Sequence, residues 1–220
     1  MPRAVLFDMD GTLIDSEHLW LEGERLVMQE LGGAWSHEDQ AHCLGGPIER
    51  AVDYMLAKAG SELPHADALE RLLVVMEELY RERPLLWRPG ARTLINEARD
   101  LGIPTALVTA SWRRLISIVE WSIERDLGRK AFDVTIGGDE VENTKPHPEP
   151  YRAAARALNV APHECLALED SPTGAASAQA AGCRVVAIPH ISPVSAAANL
   201  VVLSTLEGCT VQHLWQSVEV

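Results

Sequence analysis

Five short apolar runs constrain this chain more than anything else in it: AVLF (4–7), TALVT (105–109), FDVTI (132–136), ECLALE (164–169) and RVVAI (184–188). Most are apolar at consecutive positions, the pattern of strands covered on both faces. Helical periodicity separates them, which predicts parallel strands joined by crossover helices and therefore an open, Rossmann-like α/β sheet. One such helix is ARTLINEARDLG, with Ala91, Leu94, Ile95, Ala98 and Leu101 on its apolar face and Gly102 as its stop. Another is DSPTGAASAQAAG, where Ser171 suits the N-cap, Pro172 the first turn and Gly182 the terminator.

The interval from the first run to the second is too long for a single crossover, and residues 16 to about 84 contain no convincing strand. Ile48, Ala51, Val52, Met55, Leu56 and Ala59 form a helical stripe, repeated by Leu69, Leu72, Leu73, Met76 and Tyr80. Two such faces need each other for burial. A further helix over 17–31, with Leu19, Leu26 and Leu31 among its apolar positions, completes a small bundle. The expected organisation is a catalytic core of residues 1–15 and 85–220 carrying an all-helical insert, residues 16–84, bounded by Asp15-Ser16 and by the proline-broken segment Arg83-Pro84 to Pro89-Gly90. Two chain connections between insert and core suit hinge motion.

At 220 residues the chain suffices for one enzyme-sized core with such an insert. Its net charge of -13, from 32 acidic against 19 basic residues, disfavours nucleic acid and anionic lipid as partners. Cys43, Cys165, Cys183 and Cys209 show no metal-binding or disulfide spacing. No stretch is long and apolar enough to span a bilayer and no signal-peptide pattern opens the chain, so a cytoplasmic protein with reduced thiols is expected.

In an open parallel sheet ligands bind beyond the carboxyl ends of the strands. The first run ends on Asp8 and Asp10, the second on Thr109-Ala110-Ser111, the fourth on Glu169-Asp170, and the loop after the third carries Lys145. Carboxylates clustered at one sheet edge repel one another unless a cation neutralises them, and Asp8, Asp10 and Asp170 offer the hard oxygens that Mg2+ prefers. Lys145 would add a point charge to a bound phosphate, and the Thr109 hydroxyl with nearby backbone N–H groups would add directed donors. Asp8 is then available as a nucleophile forming an aspartyl-phosphate, and Asp10 as the acid/base that protonates the leaving alcohol and later deprotonates water. Gly11 lets the chain turn sharply after the pair. Individually these are ordinary residues, and Asp-Gly is common in turns. Their weight comes from four polar sets on four predicted strand ends.

These residues resemble the haloacid dehalogenase-like (HAD) superfamily. FDMDGTL is similar to its first motif, LVTAS to the second, TKPHPEPY to the third and LEDSPTG to the fourth, in family order from residue 4 to about 190. The insert resembles the small helical cap of the β-phosphoglucomutase-like and phosphoglycolate phosphatase-like branch. The resemblance implies a mobile cap over a Rossmann-like core and Mg2+ held by Asp8, the Asp10 backbone carbonyl, Glu169 and Asp170. It implies phosphate binding by Met9, Thr109, Ala110 and Lys145, and it makes Gly46 and Arg50 of the cap loop CLGGPIER candidates for reading the leaving group. Arg50 has an equal claim to be a solvated helix residue, and the eight histidines, His147 among them, are expected mostly at the surface.

Trp20 stands where relatives often carry a histidine that supports mutase chemistry, and Thr144 replaces a glycine before the third-motif lysine. Trp20 lies on an apolar-rich helix and could pack or wall off the substrate; packing is expected. The first departure favours hydrolysis over phosphosugar mutase activity, which is the alternative function. Asp10 argues against a dehalogenase, and a phosphonate hydrolase would need a cap lysine, for which only Lys58 is present. A phosphoacceptor signalling module would lack the helical insert. The expected activity is Mg-dependent hydrolysis of a small phosphomonoester, a sugar phosphate or similar metabolite.

Overall fold

The computed structural model describes residues 1–218. Each predicted run forms a strand: β1 (Ala4–Phe7), β2 (Thr105–Val108), β3 (Val134–Ile136), β4 (Cys165–Glu169) and β5 (Arg184–Ala187). A sixth, β6 (Leu200–Val202), lies at the edge beside β5 and is absent from the sequence prediction. Its three apolar residues follow SPVSAAAN and are too few to stand out as periodicity. The sheet order is β3-β2-β1-β4-β5-β6, with every pairing parallel. β1 is therefore flanked by β2 and β4, so Asp8 leaves the sheet between the strands that deliver Thr109 and Glu169. This order reverses direction beside β1, where open sheets form a crevice.

Consecutive apolar residues in the strands face two separate layers. Val5 and Phe7 pack on one side with Leu107, Leu166 and Leu168, while Ala4 and Leu6 pack on the other with Ala106, Ala167 and Val185. The second layer is closed by α7 (Glu149–Ala157) and α8 (Pro172–Ala181), whose Ala154, Ala155, Ala175 and Ala178 let helix and sheet approach closely. Ser171 caps α8 by accepting from the Gly174 N–H at 3.0 Å, and Gly182 ends it in the left-handed conformation, both as predicted. The first layer is covered by α5 (Ala91–Asp100), α6 (Arg113–Leu127) and α9 (Val211–Ser217). Of these only α5 is anticipated above.

The long interval after β1 holds α1 (Glu17–Glu30), α2 (His37–Cys43), α3 (Ile48–Ala59) and α4 (His65–Glu82). The two predicted stripes meet: Val52 and Met55 of α3 and Leu72, Leu73 and Met76 of α4 are buried in one cluster with Val27 and Met28 of α1. Leu26, expected on that face, is instead exposed. The helix turns by about 100° per residue, and burial of Val27 and Met28 leaves Leu26 on the far side. Leu31 lies just past the helix end and is half-buried. The two connections to the sheet pair with each other: Ile14 bridges Trp87 antiparallel, the Asp15 N–H donates to the Leu86 carbonyl at 2.8 Å and the Arg88 N–H to that of Leu13 at 2.9 Å. No helix among the described residues is long and apolar enough to cross a membrane.

Leu72 has no exposed surface and lies where the helical faces meet. Leu72→Ala is expected to cost about 2–5 kcal/mol of unfolding free energy, measured as a lower denaturant midpoint at unchanged slope.

Candidate active site

The strand ends converge as the sequence predicts. The Lys145 ammonium has three N–H donors and finds three acceptors: Asp8 Oδ1 at 2.7 Å, the Val108 carbonyl at 2.8 Å and Glu169 Oε1 at 2.6 Å. It is 2 % exposed, and the Tyr151 ring stands 5.2 Å away while its hydroxyl donates to the same Glu169 oxygen at 2.6 Å. Burial alone would lower the Lys145 ammonium, but attraction from Asp8 and Glu169 outweighs it and holds the group above the ordinary lysine value. Burial pushes the Asp8 carboxyl up to about 7, with repulsion from Glu169 adding and Lys145 opposing. The turn before α7 delivers Lys145. Its backbone is tied by the His147 N–H to the Thr144 carbonyl at 3.0 Å and by Ser177 Oγ to the His147 carbonyl at 2.6 Å. His147 itself is exposed at its side chain, as expected.

Asp8, Glu169 and Asp170 each offer a carboxylate oxygen within 4.8 Å of the others. Asp170 Oδ2 is buried with no hydrogen-bond partner among the described residues. Burial raises its carboxyl well above the usual range, and repulsion from Asp8 and Glu169 adds to this. Three buried carboxyl groups around an orphaned oxygen fit a hard divalent cation. Two glycines make this possible. A Cβ on Gly11, which has φ +79°, would stand 2.2 Å from Asp170 Oδ2, and one on Gly174 would stand 2.0 Å from Glu169 Oε1.

Asp10 is not part of that trio. Its carboxylate is turned to the opposite wall, where Oδ1 accepts from Ser16 Oγ (2.6 Å), Trp20 Nε1 (3.1 Å) and Tyr80 Oη (2.6 Å), and Oδ2 from Ser111 Oγ (2.8 Å). These donors come from the connection, from α1, from α4 and from the loop after β2. Trp20 packs against the core as expected, and it also lines the cavity and donates a hydrogen bond at the site. Burial raises the Tyr80 hydroxyl well above its ordinary value, with Asp10 adding, so it remains a donor. Tyr80 could be read from the sequence only as part of an apolar stripe, because its partner is 70 residues away.

One cavity of about 80 Å³ joins these groups. Asp8, Asp10, Thr109, Ala110, Lys145 and Asp170 line its sheet side. The Thr109 hydroxyl there accepts from the Ser111 N–H at 3.0 Å. Met9 is fully buried in the core beneath. The helical side is lined by Glu17, Trp20, Glu24 and Gln40 and by the loop Leu44–Pro47, including Gly46, with the Thr173 hydroxyl reaching the Leu44 carbonyl at 3.5 Å. Arg50 is not among the lining residues. It is exposed, and its guanidinium donates to the His42 carbonyl, so the structure does not bring it into the cavity as the loop position suggests. Lys58 is engaged with Asp39, so it offers no cap lysine to the cavity. Burial pushes Glu17 up to about 8, with Asp10 adding, and pushes Glu24 up to about 8 against the hydrogen bond it accepts from Trp35 Nε1 at 2.7 Å.

Two outcomes follow from this arrangement. Tyr80→Phe removes one of the donors on Asp10 and is expected to lower kcat about tenfold with little change in KM, read in steady-state kinetics. Glu17 and Glu24 keep their protons when folded up to about pH 8 but lose them above about 4.5 when unfolded. The folded state thus binds more protons between these values, and stability of the metal-free protein falls as pH rises through that window, by on the order of 1 kcal/mol per pH unit per group. Denaturant titrations from pH 4.5 to 8 are expected to show the decline, with Glu24→Gln flattening it.

A family model for haloacid dehalogenase-like hydrolases matches residues 2–182. Hexitol phosphatase B of Escherichia coli strain K12 is 34% identical over 189 residues, covering 84% of this chain and 83% of that protein. The crystal structure of CbbY from Rhodobacter sphaeroides in complex with phosphate superposes with TM-score 0.85 at 31% identity, over 97% of this chain and 99% of the other. A mutant of CbbY in complex with xylulose-(1,5)bisphosphate gives TM-score 0.82 at 29% identity, over 97% and 99%. With the motifs in order on the ends of a parallel sheet and matches of this extent, the chain belongs to the haloacid dehalogenase-like hydrolase family.

Proposed function

We propose that this protein hydrolyses a small phosphomonoester, a sugar phosphate or similar metabolite, through an aspartyl-phosphate on Asp8 with Mg2+ as cofactor. It is a phosphoric monoester hydrolase in keeping with its family and its phosphatase relatives. The observation that carries the finer reading is the placement of two carboxyl groups in one cavity with different surroundings. Asp8 is held against the Lys145 ammonium at 2.7 Å, whereas Asp10 is surrounded by hydroxyl and indole donors. Groups so divided suit one nucleophile and one proton carrier.

Asp8 attacks phosphorus while the ester P–O bond breaks, and Asp10 delivers its proton to the departing alkoxide oxygen. A water then gives a proton to Asp10 and attacks the aspartyl-phosphate, breaking the bond to Asp8 and releasing inorganic phosphate. Lys145 holds Asp8 in place and supplies positive charge beside the phosphoryl oxygens. Thr109 and the backbone at Met9 and Ala110 supply donors to them. Asp8, Glu169, Asp170 and the Asp10 carbonyl would hold Mg2+, which supplies charge neutralisation of the phosphoryl group when bound. The helical segment 16–84 acts as a cap, hinged at the paired connections, that excludes water from the cavity during the first step.

Asp8→Asn is expected to abolish turnover of p-nitrophenyl phosphate, and chelation of divalent ions to do the same reversibly, with Mg2+ restoring the rate. Asp10→Asn is expected to lower turnover of an alkyl phosphate about 10²–10⁴-fold but of p-nitrophenyl phosphate far less, since an aryl leaving group needs little help from an acid. Phosphate release by Asp8→Asn at the wild-type rate would refute the covalent route.

A further inference from the structure

The helical wall of the cavity carries a set of acceptors that the proposed chemistry does not use. Glu24 of α1 is 4 % exposed and lines the cavity. Its Oε2 is engaged by Trp35, while Oε1 has no hydrogen-bond partner among the described residues. Gln40 of α2 is also buried, and its amide nitrogen is directed at Glu17, to the backbone carbonyl at 2.6 Å and to Oε2 at 3.3 Å. Its oxygen is thereby left as an acceptor. Cys43, Ile48 and Ala51 on the same lining offer apolar surface. The one lysine on the lining, Lys145, has all three donors engaged on the sheet side, and no arginine is among the lining residues.

A leaving group seated here must bring hydrogen-bond donors, lay C–H surface against the apolar strip, and carry no second anion, because a buried anion without a counter-charge is strongly disfavoured. We infer that the cavity selects the monophosphate of an uncharged polyol or sugar, with Glu24, Glu17 and Gln40 accepting from its hydroxyls, and rejects substrates that carry a second phosphate or a carboxylate. This rests on the phosphatase reading above and narrows its substrate class. Burial that keeps Glu24 near neutrality supports the choice of hydroxyl over ammonium, since a protonated carboxyl both donates and accepts as a hydroxyl does. The bisphosphate complex of CbbY makes a second phosphate the informative comparison.

The test is a kinetic panel on the Mg2+-loaded full chain: sorbitol 6-phosphate, fructose 1,6-bisphosphate, 6-phosphogluconate, phosphoethanolamine and p-nitrophenyl phosphate. Sorbitol 6-phosphate is expected to exceed the bisphosphate, the sugar acid and the amine at least tenfold in kcat/KM. Glu24→Leu, which removes both oxygens at similar volume, is expected to raise KM for sorbitol 6-phosphate about tenfold and to shrink its advantage over p-nitrophenyl phosphate by the same factor. Equal or better turnover of the bisphosphate or sugar acid overturns the inference, all the more directly if Arg50→Ala removes that turnover, since Arg50 would then reach the cavity. Preference for the amine overturns it too, as does an unchanged substrate ratio in folded Glu24→Leu. The wild-type panel decides even if the variant does not fold. Absence of turnover on every compound, p-nitrophenyl phosphate included, would count against the phosphatase reading itself.

Discussion

The buried ammonium of Lys145 is the interaction on which the remainder of this structure depends. Asp8 and Glu169 emerge from adjacent central strands, and Asp170 follows directly, so the sheet itself forces three carboxyl groups together. Lys145 answers two of them and the carbonyl end of β2 at once. Removing it would leave charges in a site from which water is excluded, a loss of about 3–5 kcal/mol for a broken buried pair. The arrangement sets three carboxyl groups against one ammonium, and Asp170 Oδ2 is left without a hydrogen-bond partner among the described residues. Such an excess costs stability in the absence of a ligand and creates affinity for a cation and for the phosphate that accompanies it.

A second polar system begins two residues further on. Asp10 is gripped by side chains from both the sheet and the helical segment, with Tyr80 and Trp20 on one side and Ser111 on the other. Any swing of the helices about the paired connections at Ile14 and Trp87 would move Trp20 and Tyr80 and leave Ser111 behind. In the proposed mechanism the position of the acid/base is therefore linked to closure of the cap, and the proton is aimed only when the cavity is shut. Asp8 has no partner in the helical segment among its side-chain bonds, so the proposed nucleophile stays with the sheet.

Much of this was legible without coordinates, for definable reasons. The strands of the core are apolar at successive residues, a pattern that short-range sequence retains because both faces are buried. The polar residues at their ends, Asp8, Thr109 and Glu169-Asp170, follow from strand direction alone, since parallel strands place every carboxyl end at one edge, and Lys145 comes from the loop after the third strand. The helical stripes of α3 and α4 were equally plain. β6 was missed because an edge strand of three residues gains its stability from its neighbour rather than from its own pattern. Leu26 was misplaced because a stripe predicts the mean buried face and not which of two adjacent residues occupies it.

The sequence by itself determined which residues stand at the carboxyl edge of the sheet, because covalent order and strand direction settle that without reference to distant contacts. It also determined that a helical segment interrupts the core after the first strand. Only the tertiary structure decided what faces them across the cavity: Tyr80 donating to Asp10, Trp35 pinning Glu24, Lys145 enclosed by three acceptors, and Arg50 turned outward. Those contacts join residues with no local relation in the chain, so their formation depends on how helices and sheet pack, and on the burial that packing imposes on each charge.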